Sequence, residues 1–218
     1  MISLFRKWRR DRSVKRLMHS DYAVERDPAV AALKTMGETR FAAEQLTTAL
    51  SAKDSRSRKR AAAGLKAIGE TRFAAEQLMA TLQTKIHDRS IGAFDDDMID
   101  ALGHLGDPCA VELLIRIVED SDSAYRQGQA AAALIMIGDR RAVTPILALL
   151  ESGRDCQCII SDVRHALHNS YDRDALPPVV SWMEQYEAEL SVRMTAMKEQ
   201  KEREDRWARD HPRSPDDW

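Results

Sequence analysis

Apolar positions recur along this chain with helical rather than strand spacing. Val111, Leu114, Ile117 and Val118 form one such stripe, and Val143, Ile146, Leu147 and Leu150 form another. Spacings of three and four place each set on a single face of a helix. Upstream of each stripe lies a second apolar pattern, with a leucine four residues before a glycine. The leucines are Leu33, Leu65, Leu102 and Leu134, and the glycines are Gly37, Gly69, Gly106 and Gly138. Each unit therefore reads as helix, tight turn, helix. Glycine ends the first helix because it takes the left-handed conformation at low cost. The Glu or Asp that follows is expected to start the second helix, where a carboxylate meets free amides and the positive dipole end. Pro145 falls in the first turns of its helix, where a missing N–H costs least.

The units repeat. Gly37-Glu38-Thr39-Arg40-Phe41-Ala42-Ala43-Glu44-Gln45-Leu46 returns 32 residues later as Gly69-Glu70-Thr71-Arg72-Phe73-Ala74-Ala75-Glu76-Gln77-Leu78. Two diverged copies start at Gly106 and Gly138, again 32 apart, and a glycine-free fifth runs from Asn169 to Leu176. The 37-residue interval from Gly69 to Gly106 inserts about five extra residues between the second and third copies. Repeats of this length, each burying its apolar face against its neighbours, predict a solenoid.

The stretches from Ala101 to Leu114 and from Ala133 to Ile146 resemble the HEAT-like repeat first described in phycobilisome lyases. The resemblance spans roughly residues 23 to 185. It implies an all-α, right-handed α-solenoid of about five HEAT-like helix pairs. The family pattern also implies an arginine eleven residues before the glycine that braces neighbouring repeats. Arg26 and Arg58 stand there; Asp95 takes that place in the third repeat, and Arg126 lies one residue out of register. By this pattern the brace is missing from the middle of the stack. The repeat occurs in lyases, hydroxylases and adaptors alike, so it implies a fold more than an activity.

Composition agrees with a folded helical protein: 44% apolar, 31% charged, and rich in alanine runs such as Ala61-Ala62-Ala63 and Ala130 to Ala133. A formal charge of -2 argues against wholesale wrapping around nucleic acid. Three cysteines make no disulfide framework, and the first ten residues lack a continuous apolar segment. With no apolar run near the roughly 18 residues of a span, the expected location is the cytoplasm.

The domain reading places a basic N-terminal cap helix at 1–20, the solenoid at 21–186, an extension of the last helix at 187–207 and a disordered tail at 208–218. Residues 3 to 18 carry seven Lys or Arg against Asp11 alone. Their apolar residues, Leu4, Phe5, Trp8, Val14, Leu17 and Met18, fit a helix that caps the first repeat. The alternative is a basic amphipathic helix for anionic lipid or nucleic acid. At the other end, the stripe Val179, Trp182, Met183, Tyr186, Leu190, Met194 and Met197 outlasts what a repeat helix needs. It either folds back on the stack or pairs with a partner helix.

No catalytic motif stands out, and neither a cofactor nor a metal is expected. No histidine is followed by glutamate, the dipeptide of the HEAT-repeat di-iron hydroxylases. Cys156, Cys158, His165 and His168 are zinc-type ligands. Within one helix, however, residues 156 and 158 point about 200° apart and cannot share an ion unless the helix starts later, so small buried or half-exposed thiols are the preferred reading. Asp95, Asp96 and Asp97 read as N-terminal acids of a helix, and the insertion around Lys85 to Asp97 as a candidate binding loop. Arg56-Ser57-Arg58-Lys59-Arg60 reads as a solvated helix face that includes the bracing Arg58, against the alternative of a nucleic-acid patch. The second helices line the concave face of such folds and offer Arg40, Glu44, Arg72, Glu76, Glu112, Arg116, Arg141 and Thr144. Their mixed signs suit a protein or peptide partner better than a phosphate backbone. The resulting expectation is a non-enzymatic interaction scaffold of open oligomeric state. A bilin-lyase-like or other small-ligand enzyme, and a peripheral nucleic-acid or membrane binder, are the alternatives.

Overall fold

The computed structural model describes residues 2–51, 54–87, 93–152, 156–169 and 176–210. Among them are eleven α-helices and no strand. The first, α1 (Ile2–His19), precedes four helix pairs: α2 (Ala23–Met36) with α3 (Thr39–Leu50), α4 (Ser55–Ile68) with α5 (Thr71–His87), α6 (Ala93–Leu105) with α7 (Val111–Asp120), and α8 (Ala124–Ile137) with α9 (Val143–Ser152); α10 (Gln157–Asn169) and α11 (Pro177–Asp210) follow in the chain. The chain is an all-α solenoid. It divides into two compact units, Met1–Pro177 and Pro178–Trp218.

In the first unit the helices form two layers. The first helices of the four pairs, α2, α4, α6 and α8, and then α10 stack in order, while α3 packs on α5 and α7 on α9. The register is strict enough that Leu33, Leu65, Leu102 and Leu134, the same position in four repeats, are all fully buried. All four repeat glycines sit at positive φ, from 65° to 83°. Gly37 and Gly69 close their helices by donating backwards, Gly69 to Leu65 and Lys66 and Gly37 to Leu33 and Lys34. The stripes read from the sequence face inward. Val111, Leu114, Ile117 and Val118 are buried in α7, joined by Leu113; in α9 Ile146 and Leu150 are buried, Val143 and Leu147 are half-buried, and Leu149, outside the stripe read from the sequence, is buried as well.

Glycines within the first helices have a different task. A Cβ on Gly103 of α6 would lie 2.8 Å from the Ala133 Cα of α8. One on Gly128 of α8 would lie 3.2 Å from the Ile159 Cα of α10 and 2.7 Å from an Asp162 carboxylate oxygen. Small residues therefore bring α6, α8 and α10 to backbone-contact distance. At Gly64 of α4 the neighbours are only side-chain atoms, of Leu46 and Leu17. The close approach at Gly128 has a cost at Asp162, whose buried Oδ2 finds no hydrogen-bond partner among the described residues and whose carboxyl pKa burial raises above the ordinary range.

Several sequence expectations need correction. The five extra residues between the second and third repeats do not make a long loop: α5 has 17 residues where its near-identical counterpart α3 has 12. Only 88–92 of the candidate loop lie between helices, outside the described residues. The acid after the repeat glycine caps its helix only when it is aspartate. Asp107 and Asp139 accept from Cys109 N and Arg141 N and open short 3-10 turns, Pro108–Ala110 and Arg140–Ala142. Glu38 makes no cap hydrogen bond, its longer side chain turning to neighbouring arginines. Most of the glycine-free fifth copy (170–175) and of the C-terminal tail (211–218) also lies outside the described residues.

The second unit is the helix α11. Trp182 and Tyr186 stack with ring centroids 5.3 Å apart. Further along, Val192, Met194 and Met197 are each about 70% exposed, and the helix continues unbroken through its charged segment to Asp210.

Gly103→Ala is expected to destabilise the chain by about 1–3 kcal/mol, since the added methyl meets backbone rather than a movable side chain. Gly64→Ala should be neutral or better, because helix propensity gains up to about 1 kcal/mol and Leu46 can yield. Urea unfolding of the two variants beside the parent distinguishes them.

Candidate interaction surface

The residues proposed from sequence for partner contact stand on α3, α5, α7 and α9, apart from Arg141 in the 3-10 turn before α9, and most lie near the N-terminal turns. Arg40 lies 3.3 Å over the ring of Phe73 in the next repeat and 3.7 Å from Glu70. The helix α1 reproduces this arrangement on the first repeat. Its Arg10 lies 3.7 Å over Phe41 and 3.9 Å from Glu38, while Arg6 donates to the Met36 carbonyl at 2.6 Å. Cation–π contacts of this kind contribute about 0.5–2 kcal/mol, more as they are desolvated. The next rung changes chemistry. Cys109 and Ala110 occupy the positions of the arginine and the phenylalanine, and Thr71 donates to Asp107 across the junction at 3.1 Å. Burial pushes the Asp107 carboxyl up, but hydrogen bonds from Cys109 and Thr71 and the nearby Arg72 hold it below its ordinary value. At the fourth rung the polarity reverses: Glu112 of the third repeat accepts from Arg141 of the fourth at 2.7 Å.

One ladder thus ties five of the eight predicted residues into pairs. Arg40, Glu112 and Arg141 bridge repeats, and Arg72 pairs with Glu76 one turn along α5 at 3.0 Å. Glu44, Arg116 and Thr144 are exposed, and their side chains join no ion pair or hydrogen bond among the described residues. They are the part of the predicted surface left free to meet another molecule.

A second set of charges holds the stack together from the first-helix layer. Arg58 is buried, yet its guanidinium meets Asp97 at 2.7 Å and Asp100 at 2.9 Å, both on α6. From the other side Arg126 of α8 donates to Asp96 at 3.2 Å. The middle of the stack, where the family arginine is absent, is therefore braced after all: the third repeat supplies acids to arginines from both neighbours. Asp96 and Asp97 are more than helix-start acids, and the run from Arg56 to Arg60 is structural in part. Arg60 binds Asp21 through two contacts of 2.6 Å, tying α4 to the segment before α2. Arg26 instead donates to the Ser20 carbonyl. Beside the Arg58 brace, burial lowers the pKa of His104 against the opposing pull of Asp100, which keeps the imidazole neutral at pH 7.

Cys156 and Cys158 meet the one condition that the helical-geometry argument left open, a later helix start. The helix α10 begins at Gln157, so Cys156 is its N-cap, outside the helical register. From there its thiol turns back to 2.8 Å from the thiol of Cys158. His165 and His168 are exposed on the same helix, His165 about 10 Å further along the axis. Among the described residues no group of three or more His, Cys, Asp or Glu is placed to hold a metal ion.

The family model described as the PBS lyase HEAT-like repeat matches residues 97–120 and 127–152, covering most of the third and fourth helix pairs. No curated protein gives a significant match to the chain. The first two repeats, outside the matched segments, keep the same turn glycines and buried leucines.

Removing Arg58 leaves Asp97 and Asp100 without a buried counter-charge. Arg58→Ala should cost about 3–5 kcal/mol, against about 1 kcal/mol for Arg10→Ala, whose cation–π contact lies nearer solvent. Arg9→Ala, at an exposed position, should change nothing. Thermal unfolding of the three variants checks the order.

Proposed function

We propose that this chain, as a HEAT-like repeat protein, works as a non-enzymatic scaffold that holds a protein or peptide along its second-helix layer. The observation that carries the reading is the distribution of charge there. Arg40 pairs with Glu70, Arg72 with Glu76, and Arg141 with Glu112 and Asp139, so the surface presents alternating, pre-paired charge. Such a surface repels a polyanion less than it fails to attract one, and it suits a partner with its own mixed charges. Glu44, Arg116 and Thr144 then supply the specific contacts. The repeat match supports the scaffold fold and carries no lyase chemistry by itself. Among the described residues no helix is long and apolar enough to cross a membrane.

The test is affinity capture by the full chain, compared with the double variant Glu44→Lys, Arg116→Glu. The proposal predicts that a specific protein partner is lost, with binding weakened at least about tenfold, while the unfolding midpoint is unchanged. Capture of no protein, by a chain that instead purifies with a bound chromophore or metal, would point to the small-ligand enzyme.

A second reading concerns α1, and its exposed side favours it. The inner side caps the stack through Val14, Leu17, Arg6 and Arg10. The outer side leaves Leu4, Phe5 and Trp8 between 54% and 72% exposed, with the Phe5 and Trp8 rings stacked. Beside them Arg9, Arg12, Lys15 and Arg16 are exposed, without a carboxylate partner among the described residues. An aromatic cluster flanked by free cations matches an anionic membrane surface. Vesicles containing phosphatidylserine should bind the full chain while phosphatidylcholine vesicles should not. Phe5→Ser with Trp8→Ser should weaken that binding about tenfold or more. Equal binding by the variant, or preference for duplex DNA, would remove this reading.

A further inference from the structure

The three cysteines occupy two very different settings. Cys109 lies at the second-to-third repeat junction, where burial and the Asp107 carboxylate push its thiol up to about 12. It is a poor nucleophile there, since only the thiolate reacts. Cys156 and Cys158 form a vicinal pair at the start of α10, both partly exposed, with their sulfurs 2.8 Å apart. The geometry follows from the helix boundary. An N-cap side chain points at the amides of the second and third helical residues, here Cys158 and Ile159. The sulfur of Cys156 is therefore drawn towards the first turn, where the second helical residue is itself a cysteine. The thiol of Cys158, followed by the amide of Ile159, favours the thiolate of Cys156 and lowers its pKa; the same contact raises that of Cys158. One sulfur is thus set up to attack and the other to follow. Forming a bond of about 2.05 Å needs the two sulfurs to close by less than an ångström.

We propose that Cys156 and Cys158 are a site of oxidative modification, a dithiol that hydroperoxides convert to an intrachain disulfide. The thiolate of Cys156 attacks one peroxide oxygen, the O–O bond breaks, and the departing alkoxide takes up the proton that Cys156 had released. This leaves a sulfenic acid on Cys156. The sulfur of Cys158 then attacks that of Cys156, the S–O bond breaks, and hydroxide leaves with the Cys158 proton as water. The two thiols lose two electrons in total, and the hydroperoxide is reduced to an alcohol and water. A thiol reductant reverses the change by exchange. The ring closes across the N-cap of α10, the helix that α8 meets at Gly128, so oxidation alters the start of a stacked helix and leaves its core contacts in place.

The full chain is treated with hydrogen peroxide at pH 7 and mapped without reduction. The peptide holding Cys156 and Cys158 should lose two hydrogens, while Cys109 stays available to an alkylating agent under denaturation. In Cys158→Ser the sulfenic acid on Cys156 should accumulate and be trapped by dimedone. Cys156→Ser keeps a good N-cap, so the helix is retained, yet Cys158 alone should react at least about tenfold more slowly. Alkylation rates on the unmodified chain give an independent order: Cys156 first, Cys109 last. Oxidation of Cys109 at a comparable rate would overturn the proposal, as would disulfides found only between chains. So would equal reactivity of the two single variants.

Discussion

The first helices of this solenoid must approach until backbone nearly meets backbone, and most of the other features follow from that constraint. At the α6–α8 and α8–α10 contacts the approach leaves no room for a side chain at Gly103 or Gly128. Helices this close exclude water from whatever polar groups lie between them. Such groups must then be paired or carry a desolvation penalty. Both outcomes occur. Arg58 meets two carboxylates and is buried with its charge compensated. Asp162, opposite Gly128, has an oxygen without a partner, and burial raises its pKa.

The electrostatic design differs between the two layers. Among the first helices the ion pairs are few, partly buried and converge on α6. Breaking one is costly even if the intact pair contributes little net stability. Along the second helices the pairs are more exposed and individually weak, and they recur at the junctions from α1 to α9, except that a Thr71–Asp107 hydrogen bond replaces the ion pair between the second and third repeats. Their effect is register and a fixed alternation of charge more than stability. A surface already satisfied by its own counter-charges discriminates among partners, because a poor match must disrupt pairs without replacing them.

Much of the fold was legible in the sequence, since helix period, glycine spacing and a near-verbatim repeat are local signals. Leu33, Leu65, Leu102 and Leu134 took the expected buried positions, and the four glycines took the expected turns. What escaped were pairings between residues far apart in the chain. Arg58 lies 42 residues from Asp100, and nothing local joins them. Asp96 and Asp97 satisfy a helix-start rule and a bracing role at once, and spacing alone cannot separate the two. The cysteine pair turned on where α10 begins: a shift of one residue moved Cys156 from the helix face to the N-cap. Element ends are the least determined part of any pattern-based reading. The candidate surface was legible as a set of residues on the right helices. Its internal pairing was not, because each rung joins side chains from adjacent repeats.

The Arg40 rung has a property that bears on how such a chain grows. Its donor and its acceptors belong to the same repeated segment, the arginine at one position and the Glu and Phe at two others. A tandem copy of that segment meets its neighbour correctly however many times it is duplicated, which is the logic of an open-ended, head-to-tail polymer. Left bare, the acceptor end of the first repeat would offer Glu38 and Phe41 to the arginine end of any similar array. Arg10 of α1 already occupies that place. The third repeat ends the series from the other side, having neither the arginine nor the phenylalanine. The repeats can thus lengthen by internal duplication, and Arg10 at one limit and Cys109 with Ala110 at the other mark where the arginine–phenylalanine series stops.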